Sequence, residues 1–179
     1  MRLSVLSPSV VGALLAPALL LSACSGEVSV GGPATVERAD LEAELSANMS
    51  GPDADQFDVA CDGDLEAEVE ATQDCLITFS EDGSTTGVRL EVTAVEGDEV
   101  EFDQTIFIPA QEVADAVERT YADRGLTIDE VACAGELLGE EGETTTCDIT
   151  SSVDGDVTVE ATTTTVDGLI VNFDLTVVS

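Results

Sequence analysis

Two stretches of the chain carry apolar residues at helical spacing, and each is followed by segments that alternate apolar and polar residues. In the first stretch, Leu41, Leu45 and Met49 fall on one helical face. The pair Gly51-Pro52 follows. Because proline cannot continue a helix, we expect the helix to end before this pair.

The second helical stripe consists of Val113, Val117 and Tyr121. Pro109 stands where the first turn begins, a position that suits proline, and Gly125 stands where the helix ends. Val113 lies 72 residues after Leu41. The chain is therefore expected to contain two amphipathic helices at equivalent places in its two halves.

Strand-like segments follow each helix. After the first helix, a turn at Asp82-Gly83 comes before a segment in which Val88, Leu90 and Val92 alternate with polar residues. That alternation is typical of an antiparallel strand with one buried face. The strands predicted after the second helix are Cys147–Thr150, Val157–Val166 and Leu169–Val178.

The chain contains an internal repeat. Val59–Leu65 (Val-Ala-Cys-Asp-Gly-Asp-Leu) recurs as Val131–Leu137 (Val-Ala-Cys-Ala-Gly-Glu-Leu), a shift of 72 residues. Beyond Gly83 the shift becomes 71, which a deletion of one residue in a loop explains. We therefore predict an α+β fold of two tandem modules, residues 36–107 and 108–179, each with one helix packed on a small antiparallel sheet.

The N-terminal segment has the composition of an export signal. Arg2 gives it a positive start, and the apolar stretch Val10–Leu21 is too short to span a bilayer comfortably. The sequence Leu21–Cys24 (Leu-Ser-Ala-Cys) resembles the lipobox of bacterial lipoproteins, in which a peptidase cuts before a lipid-carrying cysteine. This resemblance implies a signal peptide over residues 1–23 and lipidation of Cys24. The alternative is an ordinary secretory signal with an incidental cysteine.

Residues 24–35 contain small residues, a glycine pair and one proline, a composition typical of a flexible tether. We expect acyl chains, palmitate among them, to hold the mature chain to the membrane, because more than one chain gives stable anchoring. The expected location is extracytoplasmic, at the outer face of the cytoplasmic membrane.

Four cysteines remain after Cys24, and four cysteines allow three pairings. Each module holds two of them at the same spacing, so the repeat favours Cys61–Cys75 and Cys133–Cys147. Closing a loop of about fifteen residues contributes roughly 3 kcal/mol in the chain-entropy account. A zinc site needs closer cysteine pairs, and a redox pair favours Cys-x-x-Cys with an activating cation, so we predict structural disulfides.

Composition excludes several functions. The chain has 38 acidic and 5 basic residues, a formal net charge of -33, and neither His nor Trp. Catalytic systems and metal sites built on His are therefore impossible, and so few cations leave no patch to neutralise nucleic acid phosphates. Because phosphate loops and nucleophile elbows are also missing from the sequence, we expect no enzyme activity, no cofactor and no nucleic acid partner.

The acids are spread along the chain, which is typical of a solvated acidic surface. The alternative is a calcium site, for which Asp62, Asp64 and Glu66 offer oxygen ligands beside the first cysteine of the first module. We assign no metal site and keep these carboxylates as a weaker alternative, because no EF-hand loop is present. The matching acids of the second module are Glu136, Glu140, Glu141 and Glu143.

The order of these features resembles a known family. A helix is followed by Val-x-Cys-x-x-x-Leu, a second cysteine, a Val-rich hairpin and a final Val-x-Phe-Asp, and this order occurs twice. It is similar to an actinobacterial module, the domain of unknown function of family 4333, often found behind lipoprotein signals or membrane anchors. Such modules tend to carry a glycine shortly before the second cysteine. Gly142 matches it in the second copy, whereas Glu70-Ala71-Thr72 lacks it in the first.

The family resemblance implies a fold and a location but no activity. We expect a membrane-anchored lipoprotein of the cell envelope that binds an unknown envelope protein or ligand without catalysis. We expect exposed sheet edges between the modules to be sites for a partner strand. A calcium-dependent acidic surface module is the alternative function.

Overall fold

The computed structural model describes residues 2–4, 35–48, 56–97 and 99–178. Of these residues 53% lie in strands, and two helices complete the regular structure. The fold is therefore mostly β, and the α+β class that we predicted overstates its helical part. In chain order the elements are β1 (Arg2–Ser4), β2 (Thr35–Val36), α1 (Arg38–Asn48), β3 (Phe57–Cys61), β4 (Leu65–Glu66), β5 (Thr72–Phe79), β6 (Thr85–Glu96), β7 (Glu99–Ile108), α2 (Ala110–Asp123), β8 (Glu130–Cys133), β9 (Leu137–Leu138), β10 (Thr144–Thr150), β11 (Val157–Asp167) and β12 (Ile170–Val177).

The long strands form two antiparallel sheets of the same plan. The first sheet has the order β1-β7-β6-β5-β3, and the second has the order β12-β11-β10-β8. Strands β8, β10, β11 and β12 therefore repeat β3, β5, β6 and β7. Both sheets also share an irregularity, because the register between their last two strands shifts at Thr93 in one and at Thr164 in the other.

Alternation along the strands decides which face of each sheet is buried. Val88, Leu90 and Val92 of β6 are buried, whereas Arg89 and Glu91 between them lie on the opposite face. The corresponding residues of β11 are buried at the same alternate positions. They are Val159, Ala161 and Thr163.

Each sheet has its own buried cluster, and residues of one helix take part in each cluster. Full burial of such an apolar side chain contributes about 1.5–3 kcal/mol relative to its exposure to water. Met49, which we also placed on the first helical stripe, lies outside the described residues. The helix residues in the clusters are Leu41 and Leu45 of α1, and Val113, Val117 and Tyr121 of α2.

Strand β7 is shared by the two modules. Residues Glu99–Phe107 pair with β6 of the first sheet, and Phe107–Ile108 pair with β9 from the second module. In the first module the matching ladder joins β2 to β4, since Thr35–Val36 precedes Phe107–Ile108 by 72 residues. The predicted boundary between residues 107 and 108 therefore falls inside one continuous strand. Only Pro109 separates this strand from α2, so no flexible linker joins the modules.

Strand β1 pairs with the outer edge of β7 at Glu99–Glu101. Its residues, Arg2–Ser4, belong to the segment that we predict to be removed with the signal peptide. The rest of that segment, Cys24 and the tether up to residue 34 lie outside the described residues. No helix in the described ranges has the length and apolar character needed to cross a membrane.

Candidate functional site

The structure contains both predicted disulfides. Cys61–Cys75 joins β3 to β5, and Cys133–Cys147 joins β8 to β10. In each pair the two cysteines are direct partners in the strand register. Cys75 and Cys147 are fully buried, the environment of an inert structural cysteine rather than a reactive one.

The acids considered for calcium do not form a cluster. Asp62, Asp64 and Glu66 are all exposed. Asp64 Oδ1 instead accepts the backbone N–H of Arg38 at 2.8 Å, which satisfies one of the free donors at the start of α1. Within the ranges that the structure describes, no three potential ligands lie close enough together to hold a metal ion.

Arg89 links the two modules through ion pairs. Its guanidinium donates to Asp74 on the neighbouring strand at 2.8 and 2.7 Å, and to Glu136 of the second module at 2.7 and 3.1 Å. Hydrogen bonds to Asp74, and to a lesser degree to Glu136, raise the pKa of Arg89 above its ordinary value. Glu136 is thus engaged in the junction, while Glu140, Glu141 and Glu143 are exposed.

Phe107 lies between Arg89 and Gly87 at this junction. Its ring is buried, and the guanidinium carbon of Arg89 lies 5.1 Å from the ring centroid. A Cβ atom at Gly87 would lie 2.2 Å from the ring Cζ, so a side chain there would displace the ring. The position equivalent to Gly87 on β11 is Thr158, where no such ring excludes a side chain.

Beside the junction, both modules line a cavity of about 190 Å³, which we call the junction groove. Helix α2, the β5–β6 hairpin and the start of β12 form its walls, and most of its apolar side chains are half-buried. Thr86 Oγ1 donates to the carbonyl of Leu169 at 3.2 Å and so connects two of these walls. The lining residues are Phe79, Ser84, Thr85, Thr86, Ile108, Glu112, Ala116, Arg119, Leu169, Ile170, Val171 and Phe173.

Two charged residues of α2 border the junction groove. Glu112 is half-buried and Arg119 is exposed, and neither side chain forms an ion pair or hydrogen bond within the part of the chain that the structure describes. Asp82 lies close enough to Arg119 for their charges to interact. Hydrogen bonds from Ser84 lower the pKa of Asp82, and the charge of Arg119 lowers it slightly further.

Arg119 differs from the other arginines whose side chains are described, because each of those forms an ion pair or stacks on an aromatic ring. Arg38 Nε lies 3.6 Å from Glu42, and Arg89 has the partners given above. Arg124 stacks over the ring of Tyr121 at 5.0 Å. In a chain with 38 acids, Arg119 is thus an available cation beside an apolar groove.

Strand β12 forms the outer edge of the second sheet. Within the described ranges it pairs only with β11, whereas its counterpart β7 also pairs with β1 and β9. Only one residue of β12, Asp174, is acidic or basic, compared with three of β7. Ile170 and Val177 are 59% and 55% exposed. Such an uncovered edge of low charge is suited to pairing with another strand.

Sequence reasoning predicted partner sites at exposed sheet edges between the modules and missed the junction groove. One signal was available on α2, because Glu112 and Arg119 are seven residues apart and therefore lie on one helical face, two turns from each other. The strands and hairpin that complete the groove come from distant parts of the chain, and no local pattern relates them to that face.

Comparison with known proteins supports the duplication. The profile of a family described as a domain of unknown function (DUF4333) matches residues 19–97 and again residues 101–168. These two matches cover most of the chain. No curated protein and no solved structure matches the chain significantly.

Proposed function

The chain belongs to the DUF4333 family, of which it carries two tandem copies, and from this premise we propose that it is a lipid-anchored binding protein of an actinobacterial cell envelope. In this proposal the signal peptide of residues 1–23 is removed and Cys24 carries the acyl chains. Each family unit is one helix on a small antiparallel sheet. The joined modules stand outside the cytoplasmic membrane and bind an envelope partner through the junction groove, without catalysis.

The junction groove is the observation that carries this proposal. Its apolar walls and the charged side chains of Glu112 and Arg119, which form no hydrogen bond or ion pair within the described residues, combine an apolar surface with a few polar groups, as ligand sites usually do. The dispersed acids elsewhere favour solubility and repel anionic lipid, which is useful for a protein held close to a membrane.

The absence of catalysis in the proposal rests on the chemistry of the acids. A carboxylic acid that transfers protons near neutral pH needs a raised pKa. Two acids outside any cluster, Asp82 and Asp129, have their pKa values shifted in the opposite direction, by hydrogen bonds from Ser84 and Ser152. The chain also has no His to activate a nucleophile.

Lipid attachment is tested by replacing Cys24. We expect Cys24→Ala to abolish incorporation of labelled palmitate and to release the protein from the membrane fraction, because the thiol is the attachment point in the proposed anchor. Ser25→Ala is the matched control and should retain both properties. Palmitate still entering the Cys24→Ala variant would contradict the anchor.

Binding at the junction groove is tested by photocrosslinking in intact cells. A photoreactive residue at Ala116, inside the groove, should give a discrete crosslinked product, and the same residue at exposed Glu143 should not. Adding Arg119→Glu should remove the product, whereas Arg124→Glu should leave it. A product that forms equally from both crosslinker positions would contradict a groove-specific partner.

The response of the protein to Ca²⁺ distinguishes this proposal from the alternative function. Molar NaCl and molar KCl should raise the melting temperature equally, since both screen repulsion within a chain of net charge -33. Millimolar Ca²⁺ added in molar salt should then have no further effect. A stoichiometric heat of Ca²⁺ binding in molar salt would favour the calcium-dependent module instead.

A further inference from the structure

We propose that the junction groove binds an extended segment of an envelope protein, which adds to the free edge of β12 as a further strand. This inference rests on the proposed binding function and specifies the chemistry of the partner. The segment carries apolar side chains at alternate positions, a carboxylate side chain that meets Arg119 and a cationic side chain that meets Glu112.

The free edge of β12 carries unused backbone hydrogen-bonding groups. Val178 N–H donates to the carbonyl of Thr158 on β11 at 2.9 Å. Because the direction of backbone groups alternates along a strand, the N–H and C=O groups of Phe173 and Leu175 point away from β11. No other described strand pairs with them, so an incoming strand finds a row of donors and acceptors.

The volume of the junction groove favours side chains of a peptide over a complete small molecule. Its volume of about 190 Å³ is below the roughly 300–1,000 Å³ of pockets that enclose a drug-sized ligand. A strand added to β12 directs every second side chain to the face on which Val171 and Phe173 line the groove. The groove can therefore accept apolar side chains of the segment while the edge binds its backbone.

The two charges on α2 set the spacing of charges in the partner. Glu112 and Arg119 are seven residues apart, which corresponds to about 10 Å along a helix axis. An extended chain covers that distance in about three residues, at roughly 3.3 Å each. Because only every second side chain of a strand faces the groove, the cation and the carboxylate have to be two or four residues apart in the segment to meet both groups.

The chain already makes one contact of this kind internally. Strand β9 adds two residues to the outer edge of β7, where Leu137 is fully buried. Gly139 N–H extends this contact by donating to the carbonyl of Ile106 at 2.7 Å. Since β12 is the counterpart of β7, the same side of β12 can accept a short apolar strand, although the position equivalent to Phe107 is Val178, just past the end of β12.

Charge favours a different protein over a second copy of this chain. Pairing two copies through β12 would bring together two molecules with a net charge of -33 each. A foreign segment that carries both a cation and an anion avoids that repulsion and satisfies both ends of the junction groove.

A displayed library of short segments, randomised at every position, tests the proposal against the full-length lipidated protein in detergent micelles and molar salt. The selected segments should share alternate apolar residues and a cation two or four residues from an acid. Hydrogen exchange on the complex with the best synthetic peptide should show new protection at Phe173 and Leu175. A selection that yields no binding segment overturns the proposal.

Matched variants of peptide and protein identify the binding mode. N-methylation of the peptide amides that face β12 should abolish binding, whereas N-methylation of the alternate amides should not. Arg119→Glu should weaken binding by about tenfold or more, the scale of a charge-assisted hydrogen bond, and Arg124→Glu should leave it unchanged. Replacing the peptide acid by Lys should restore affinity for the Arg119→Glu variant.

The outcomes distinguish this inference from the proposed function on which it rests. Peptide binding that ignores N-methylation and Arg119→Glu overturns strand addition, while a groove-specific crosslink in cells still supports the binding function. Crosslinks that form only outside the groove would contradict both the strand addition and the proposed binding function. Dimerisation of the free protein that the selected peptide abolishes would assign the edge to a second copy and overturn the proposed partner.

Discussion

The last strands of the two modules have the same place in their sheets but different surroundings. Strand β9 pairs with Phe107–Ile108 at one end of the outer edge of β7, β1 pairs with Glu99–Glu101 at the other end, and β7 carries three acids. Within the described ranges the outer edge of β12 is uncovered, and β12 carries one acid. The comparison shows that the second module supplies a short strand, β9, to the edge of the first, while its own equivalent edge has no partner among the described residues.

The two cores differ as well. Val92 of the first module is replaced by Thr163 in the second, where the hydroxyl is buried and donates to the carbonyl of Leu138 at 2.7 Å. Phe102 is buried in the first core, whereas its counterpart Phe173 is half-buried and lines the junction groove. The second module therefore buries less apolar surface and leaves an aromatic side chain at the candidate site.

The largest expected effect comes from removing a disulfide. Cys61→Ala combined with Cys75→Ala, or Cys133→Ala combined with Cys147→Ala, should each lower the free energy of unfolding by about 3 kcal/mol. Because β7 is shared, we expect one cooperative denaturation transition in every case, monitored by circular dichroism. Two separate transitions, of which only one shifts, would show that the modules unfold independently.

A smaller effect should follow from exchanging the residues opposite Phe107. Gly87→Thr introduces a side chain where a Cβ atom would meet the ring, and we expect it to cost about 1–3 kcal/mol of stability. The reciprocal Thr158→Gly removes no buried contact of this kind and should cost about 1 kcal/mol or less. Equal losses of stability in urea denaturation would mean that the ring does not occupy the space above Gly87.

The missing family glycine of the first module offers the next comparison. Glu70 has φ 72° and is the one residue other than glycine with a positive φ in the described ranges, while Gly142 occupies the matching position with φ 94°. Glu70→Gly should stabilise the protein by about 0.5–1 kcal/mol by removing backbone strain. Gly142→Ala should destabilise it by about 1 kcal/mol, since open space around Gly142 leaves backbone strain as the cause. Thermal melts of the two variants should therefore shift in opposite directions.

The smallest expected effect concerns pH. Hydrogen bonds from Ser84 and Ser152 lower the pKa of Asp82 and Asp129 below the ordinary value of 3.8. The stability that these carboxylates contribute is therefore present above pH 4 and is lost as the pH falls through their folded pKa values. Asp82→Asn and Asp129→Asn should lower the melting temperature slightly at pH 7, and this difference should shrink as the pH falls below 4. A difference that does not shrink on acidification would have to come from something other than charge.

Local patterns predicted much of the fold. The spacing of Val113, Val117 and Tyr121 indicated a helix face, and all three side chains lie in the second buried cluster. The alternation of Val88, Leu90 and Val92 predicted their shared buried face. The predicted α+β fold class was less accurate than the predicted helices and strands, because the two helices are short compared with the total length of the strands.

The candidate site could not be predicted in the same way. Its pairings join residues far apart in the chain, such as Arg89 with Glu136 and Thr86 with Leu169, 47 and 83 residues apart. Sequence gave no sign that Arg89 would be engaged and Arg119 would be available, because the two arginines differ only in which acids the fold brings near them.

By itself the sequence determined the repeat, the two helix faces, the alternation of the strands and the equal spacing of the cysteines. Each of these is a pattern of residue types along the chain and does not depend on which elements lie side by side. Only the tertiary structure decided that β7 serves both modules, that Phe107 is paired on both of its edges and that β12 is left with one partner. Edge pairing depends on which strands lie side by side in the fold. A residue that no local pattern explains, such as Gly87, is required by that arrangement, because the ring of Phe107 leaves no room for a side chain there.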